Sequence, residues 1–106
     1  MLDVIVFRDA DGSEPFIDWL NGLRDERAVA RIAARIERLG AGLFGDSKAL
    51  EQGVHELRVD YGPGYRVYYG RQDKRIVLLL CGGDKGSQRR DIRRAIKYWE
   101  QWKTER

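Results

Sequence analysis

Hydrophobic and polar positions follow two different periodicities along the chain, one typical of strands and the other typical of helices. A β-branched, apolar run predicts a first strand over residues 2–7. Ser13 is expected to cap a short helix, and a second helix begins near Asp25. The second helix carries an apolar residue every three or four positions, which predicts one buried stripe, and the Gly-Ala-Gly run at 40–42 ends it.

The second half of the chain contains three short segments of strand character. Two of them alternate between apolar and polar residues, and the third is apolar throughout, as expected of a central strand covered on both faces. A glycine-rich loop over residues 82–87 then leads to a last helix over about 88–102. The stretch that ends at Gly53 is expected to be a loop or short turn. The three predicted strands span residues 55–60, 65–71 and 75–81.

Length and composition favour one small α+β domain over residues 1–106. Cys81 is the one cysteine, so no disulfide can form within the chain, and a single Cys with a single His makes a structural zinc site implausible. The longest apolar run, residues 76–81, is too short to span a membrane, and the N-terminus lacks the pattern of a secretory signal. We therefore expect a cytoplasmic protein that needs no cofactor.

Charge is unevenly distributed, although the formal net charge is only +3. Residues 85–106 contain eight Lys or Arg against three Asp or Glu, a net charge of +5. Such a basic end suits a polyanion or an acidic partner protein, but a solvated helix face explains it equally well. The second helix carries a similar row, for which a solvated face is the simpler interpretation: Arg24, Arg27, Arg31, Arg35 and Arg38.

Strand alternation gathers charged side chains on one face of the predicted hairpin. If Arg58 lies opposite Arg66, the same face also carries Glu56 and Tyr68. Two facing arginines repel each other unless an anion lies between them, which Glu56 supplies in the free protein and a phosphate supplies in a complex. The glycine-rich loop can bring in further polar side chains from Lys85, Ser87 and Gln88. An ordinary charged sheet surface remains the alternative.

These residues resemble a known family. The pieces that carry the resemblance are Glu56-Leu57-Arg58, Tyr65-Arg66-Val67-Tyr68-Tyr69, Gly82-Gly83-Asp84-Lys85 with Gln88, and Asp91-Ile92 with Ala95. Together they are similar to the HigB-type toxins, also called addiction module killer proteins, of the RelE/ParE superfamily. The similarity spans most of the chain and implies the element order β-α-α-β-β-β-α, with a small twisted, mainly antiparallel sheet and the helices packed on one face.

The resemblance also implies a function. Such a protein is the toxin of a type II toxin–antitoxin system, cleaves mRNA on the ribosome without a metal, and is neutralised by a helix-turn-helix antitoxin in a hetero-oligomer. ParE-like relatives instead inhibit DNA gyrase, and a member that only binds its antitoxin is a third possibility. By matching position, the implied catalytic residues are Arg66, Lys85, Glu56 and Arg58. The implied RNA-binding residues are Tyr68, Lys48, Ser87, Gln88, Arg89 and Arg90.

One position departs from the family pattern. RelE-type toxins carry a functional tyrosine near the start of the last helix, and the matching residue here is Ile92. His55, predicted to face the core, does not replace the histidines that some HigB toxins use. Glu56 is then the expected general base, because an arginine is too basic to accept a proton at neutral pH.

Overall fold

The computed structural model describes residues 1–105 and confirms the α+β class. Within this range, five strands form one mixed sheet and three α-helices pack against it. The strands are β1 (Asp3–Val6), β2 (Ser47–Ala49), β3 (Val54–Val59), β4 (Tyr65–Gln72) and β5 (Ile76–Asp84). The helices are α1 (Pro15–Gly22), α2 (Glu26–Gly40) and α3 (Gln88–Thr104), and a 3-10 turn, Lys85–Ser87, precedes α3.

The sheet has the strand order β1-β5-β4-β3-β2. β1 runs parallel to β5, and the other neighbouring strands are antiparallel. The prediction of a loop around Lys48 is wrong, because Lys48 lies in β2 and faces Glu56 of β3. A strand of only three residues is too short to display an alternating pattern. Four strands therefore follow α2, instead of the three that the resemblance implies.

Helices cover both faces of the sheet, so the prediction that they pack on one face is wrong. Phe16 of α1 and Ile32 of α2 pack in one core with inward residues of β3, β4 and β5. Ala95 and Trp99 of α3 pack in a second core on the opposite face, with Tyr68 among their neighbours. A central strand that is apolar on both sides needs such double cover. The face expected to be a charged outer surface is consequently covered in part by α3.

Side-chain capping is present at the start of α2 but not at the start of α1. Asp25, near which α2 was expected to begin, caps this helix, because its Oδ1 accepts hydrogen bonds from the amides of Arg27 (3.0 Å) and Ala28 (3.3 Å). Ser13 does not cap α1, which begins two residues later at Pro15. The Ser13 amide instead donates to Asp9 Oδ1 at 2.9 Å within a tight turn.

Two glycines that were expected in a loop belong to β5. Gly82 and Gly83 continue the ladder with β4. A Cβ atom on Gly82 would collide with the Trp19 ring of α1, and one on Gly83 would collide with the Asp91 carboxylate of α3. The glycines therefore let a helix approach β5 closely on each face. No α-helix in residues 1–105 is long and apolar enough to cross a membrane.

Candidate functional site

The hairpin of β3 and β4 has the predicted register. Arg58 lies opposite Arg66, and Glu56 lies opposite Tyr68. Residues directly opposite each other in an antiparallel pair place their side chains on the same face. The strand register alone therefore brings the Glu56 carboxylate close to the Arg58 and Arg66 guanidinium groups.

Glu56 is completely buried beneath the two arginines. Its Oε1 accepts a hydrogen bond from Arg58 Nε at 3.0 Å and lies 3.8 Å from Arg66 Nε. Its Oε2 accepts a 2.6 Å hydrogen bond from Gln88 Nε2 at the start of α3. Burial alone would raise the pKa of Glu56, but these hydrogen bonds and the two arginine charges lower it below its usual value. Glu56 is thus an ionised group that links the hairpin to α3.

The two arginines differ in how far they reach toward solvent. The Arg58 side chain is 36% exposed, whereas that of Arg66 is only 12% exposed. Arg66 Nη1 donates to the Tyr65 carbonyl at 3.2 Å, and its buried Nε has no hydrogen-bond partner in the described residues. Arg66 is therefore a nearly buried cation whose hydrogen-bonding capacity is only partly used.

An open cleft of about 370 Å³ lies beside these arginines. Arg58, Arg66 and Lys85 contribute three cationic side chains to its lining, and Asp46 and Asp60 contribute two carboxylates. The turn over residues 62–64 forms its remaining wall. Guanidinium and ammonium groups that converge on one cleft can hold a phosphate by charge-assisted hydrogen bonds. We call this space the cationic cleft.

The 3-10 turn that carries Lys85 is fixed by its own hydrogen bonds. Asp84 Oδ1 accepts from the amides of Gly86 (2.8 Å) and Ser87 (3.1 Å). Ser87 Oγ in turn accepts from the Asp84 amide and donates a short hydrogen bond to the buried Asp91 carboxylate. Ser87 is consequently used to shape the turn, whereas Lys85 is exposed at the cleft.

Tyr68 was expected to stack on a base or to orient the ribose, with core packing as the alternative, and in this structure it packs in the core. Its side chain is fully buried under α3, so a base cannot stack on its ring in this structure. Burial raises the pKa of Tyr68 well above its usual value, and the charges of Glu56 and Asp91 raise it further. The alternation placed Tyr68 on the correct face, but it could not reveal that α3 covers that face.

The remaining predicted RNA-binding residues are spread around the cleft. Lys48 is exposed on β2, on the same face as Glu56. Arg89 and Arg90 are exposed on the first turn of α3, where Arg90 Nε lies 3.7 Å from Asp91 Oδ1. The Gln88 side chain donates its hydrogen bond to Glu56. None of these four side chains is among the residues that line the cationic cleft.

His55 and Ile92 lie in packing environments. The His55 ring stacks on Tyr69 with 5.2 Å between ring centroids, and burial and then the Arg71 charge lower the pKa of His55. Ile92, a residue of α3, packs against the second core. Neither residue lines the cationic cleft.

Sequence reasoning missed one residue of the cleft altogether. The Arg58 amide donates to the Asp46 carbonyl at 2.9 Å, which continues the β2–β3 ladder by one pair. Asp46 belongs to the segment that was expected to be a loop, so no alternation in the sequence could assign it to this face. Alternation along the predicted strand 55–60 puts Asp60 on the face of Glu56 and Arg58, but the position of Asp60 at the cleft depends on the fold of the turn that follows it.

No protein-family model matches the chain. A sequence comparison finds an uncharacterized protein of Haemophilus influenzae that is 52% identical over 80 residues, which is 76% of this chain and 81% of that protein. The chain belongs to the family of this Haemophilus influenzae protein. Membership in this family assigns no activity, so the function must be argued from the geometry of the cationic cleft.

Proposed function

We propose that the protein is the toxin of a type II toxin–antitoxin system and cleaves mRNA on the ribosome. The observation that carries this proposal is the convergence of Arg58, Arg66 and Lys85 on one open cleft, with Glu56 buried behind them. A scissile phosphate gains negative charge in the transition state, and preorganised cations stabilise that charge. The resemblance to HigB-type toxins supplies the substrate, mRNA, that such a cleft would bind.

Each cationic residue has a proposed role in this reaction. Arg66 binds the scissile phosphate, since it lines the cleft and its planar guanidinium group matches the geometry of a phosphate. Arg58 and Lys85 add positive charge from the neighbouring strand and from the 3-10 turn. Lys48, Arg89 and Arg90 lie outside the cleft and would contact the RNA backbone farther along the strand.

Glu56 fits the role of general base poorly. Both of its oxygens are already engaged, its side chain is buried, and its pKa is lowered by Gln88, Arg58 and Arg66. A weakly basic carboxylate without access to the substrate is a poor proton acceptor. We assign Glu56 instead to holding Arg58 and Arg66 in position, which a carboxylate in this geometry does well.

The proposed activity implies a partner and a compartment. A toxin that acts on translated mRNA works in the cytoplasm and must be silenced by an antitoxin, for which the resemblance implies a helix-turn-helix protein. An antitoxin that covers the cationic cleft would have to present negative charge to Arg58, Arg66 and Lys85. The toxin and antitoxin would then form a hetero-oligomer in which the cleft is closed to RNA.

Expression of the chain without a partner tests this proposal. We expect growth arrest accompanied by new mRNA 5′ ends in translated regions. Growth arrest with intact transcripts would contradict the proposal, and an accumulation of gyrase–DNA cleavage complexes would favour a ParE-like target. A chain that neither arrests growth nor cleaves RNA, yet binds an antitoxin, would be a binding protein only.

A further inference from the structure

We propose that Asp46 is the proton acceptor of the cationic cleft. The inference rests on the proposed RNA cleavage, which requires a group that removes a proton from the attacking ribose 2′-hydroxyl. Glu56 is buried and fully engaged, and the three cations of the cleft cannot accept a proton at neutral pH. Among the described residues that line the cleft, only Asp46 and Asp60 carry a carboxylate.

The strand register favours Asp46 over Asp60. Ser47 pairs with Leu57, so the next pair outward joins Asp46 with Arg58, as the hydrogen bond from the Arg58 amide to the Asp46 carbonyl shows. Arg58 itself lies opposite Arg66. Asp46, which immediately precedes β2, therefore forms one row with Arg58 of β3 and Arg66 of β4 on the same face of the sheet. A phosphate held by the two arginines would lie in the same cleft as Asp46.

The position of Asp46 is fixed, but its carboxylate is not engaged. The Asp46 carbonyl accepts hydrogen bonds from the Arg58 amide at 2.9 Å and from Arg35 Nη2 at 3.4 Å. In residues 1–105 its exposed side chain makes no hydrogen bond or ion pair, although it lies close enough to Arg58 to interact with that charge. A fixed backbone with an available carboxylate is what a general base requires.

Asp60 occupies a different part of the cleft. It follows the last residue of β3 and also lines a second groove, formed with Arg31, Arg35 and Arg38. Asp60 thus lies between two cationic surfaces and has no arginine directly opposite it in the β3–β4 ladder. It carries the same charge in the same cleft, which makes it a matched control for Asp46.

The proposed step transfers two protons and exchanges one bond at phosphorus. The 2′-hydroxyl gives its proton to the Asp46 carboxylate, and the 2′-oxygen forms a bond to phosphorus. The bond from phosphorus to the 5′-oxygen breaks, and this oxygen takes a proton from water. The products are a 2′,3′-cyclic phosphate and a 5′-hydroxyl end, and Asp46 returns its proton to solvent.

The test compares Asp46→Asn and Asp60→Asn in the full-length chain, with single-turnover cleavage of a defined mRNA on purified ribosomes. We expect D46N to cleave about 100-fold or more slowly, the usual loss for a general base, and we expect a much smaller loss for D60N, which removes the same charge from the same cleft. Both variants should bind RNA at least as tightly as the wild type, because each removes a negative charge from a cationic cleft. Asp46→Glu should restore part of the rate.

Three outcomes would overturn the assignment. If D46N cleaves at the wild-type rate, Asp46 is not the general base. If only D60N loses cleavage rate, Asp60 is the general base instead. An equal loss in both variants would indicate a general charge effect. A wild-type chain that leaves mRNA intact would instead overturn the proposed function itself.

Discussion

At the scale of single residues, Glu56 joins two elements through three side chains. Its carboxylate contacts Arg58 and Arg66 of the hairpin and Gln88 of α3. The alternating pattern predicted which of these residues share a face, because register in a two-residue repeat is strongly specified. The pattern could not predict that Glu56 is buried, since burial depends on where α3 lies. The same limit explains why Tyr68 was expected at the surface.

Glu56→Gln should lower the free energy of unfolding by about 1–3 kcal/mol at pH 7, because Arg58 and Arg66 lose their buried counter-charge. The pKa of Glu56 is lowered in the folded protein, so its stabilisation is complete above its usual value of 4.5. This stabilisation is lost as the pH falls through the lowered folded pKa. Urea unfolding of both proteins at several pH values measures the difference.

The difference in the free energy of unfolding between wild type and E56Q should therefore be smaller at acid pH. Glu51→Gln provides the control, because Glu51 is exposed and a surface substitution usually changes stability by less than about 0.5 kcal/mol. A difference for E56Q that stays the same at pH 7 and pH 3 would contradict the proposed role of its charge.

At the scale of elements, two close approaches determine where the site can form. Gly82 admits Trp19 of α1 on one face of β5, and Gly83 admits Asp91 of α3 on the other. Both glycines were predicted to lie in a loop, because the sequence alone does not distinguish a glycine in a strand from a glycine in a loop. The short β2 was missed because a strand of three residues is too short to display an alternating pattern.

Gly83→Ala should destabilise the protein by about 1–3 kcal/mol, because the new methyl group would overlap the Asp91 carboxylate and Ser87 Oγ. Gly22→Ala is the matched control, since a Cβ atom there meets no atom within 4 Å. Thermal or urea unfolding of the two variants gives the comparison. Equal stability of G83A and wild type would mean that α3 does not approach β5 as closely as described.

At the scale of the whole molecule, helices on both faces leave the cationic cleft at one end of the sheet. β4 begins and β5 ends there, and the 3-10 turn adds Lys85. The α+β class and the order of the long elements could be predicted from periodicity alone. The placement of α3 on the second face could not, because an amphipathic helix does not encode which face of a sheet it covers.

Binding of single-stranded RNA should weaken as salt increases, since each contacted phosphate releases bound counterions. Lys85→Ala removes one such contact and should reduce the slope of log affinity against log salt concentration by about 0.7. Arg75→Gln, an exposed arginine next to the opposite end of β5, should leave the slope unchanged. Fluorescence anisotropy of a labelled RNA provides both slopes, and identical slopes for K85A and wild type would exclude Lys85 from the contact.

The central claim is that the cationic cleft cuts translated mRNA. Its most direct test is to map mRNA 5′ ends in a purified translation system that contains either the wild-type chain or Arg66→Ala, with circular dichroism to verify that the variant is folded. We predict new 5′ ends in phase with codons for the wild-type chain, which depend on ribosomes and disappear with R66A. Transcripts that remain intact with the wild-type chain, or cuts that persist with folded R66A, would contradict the claim.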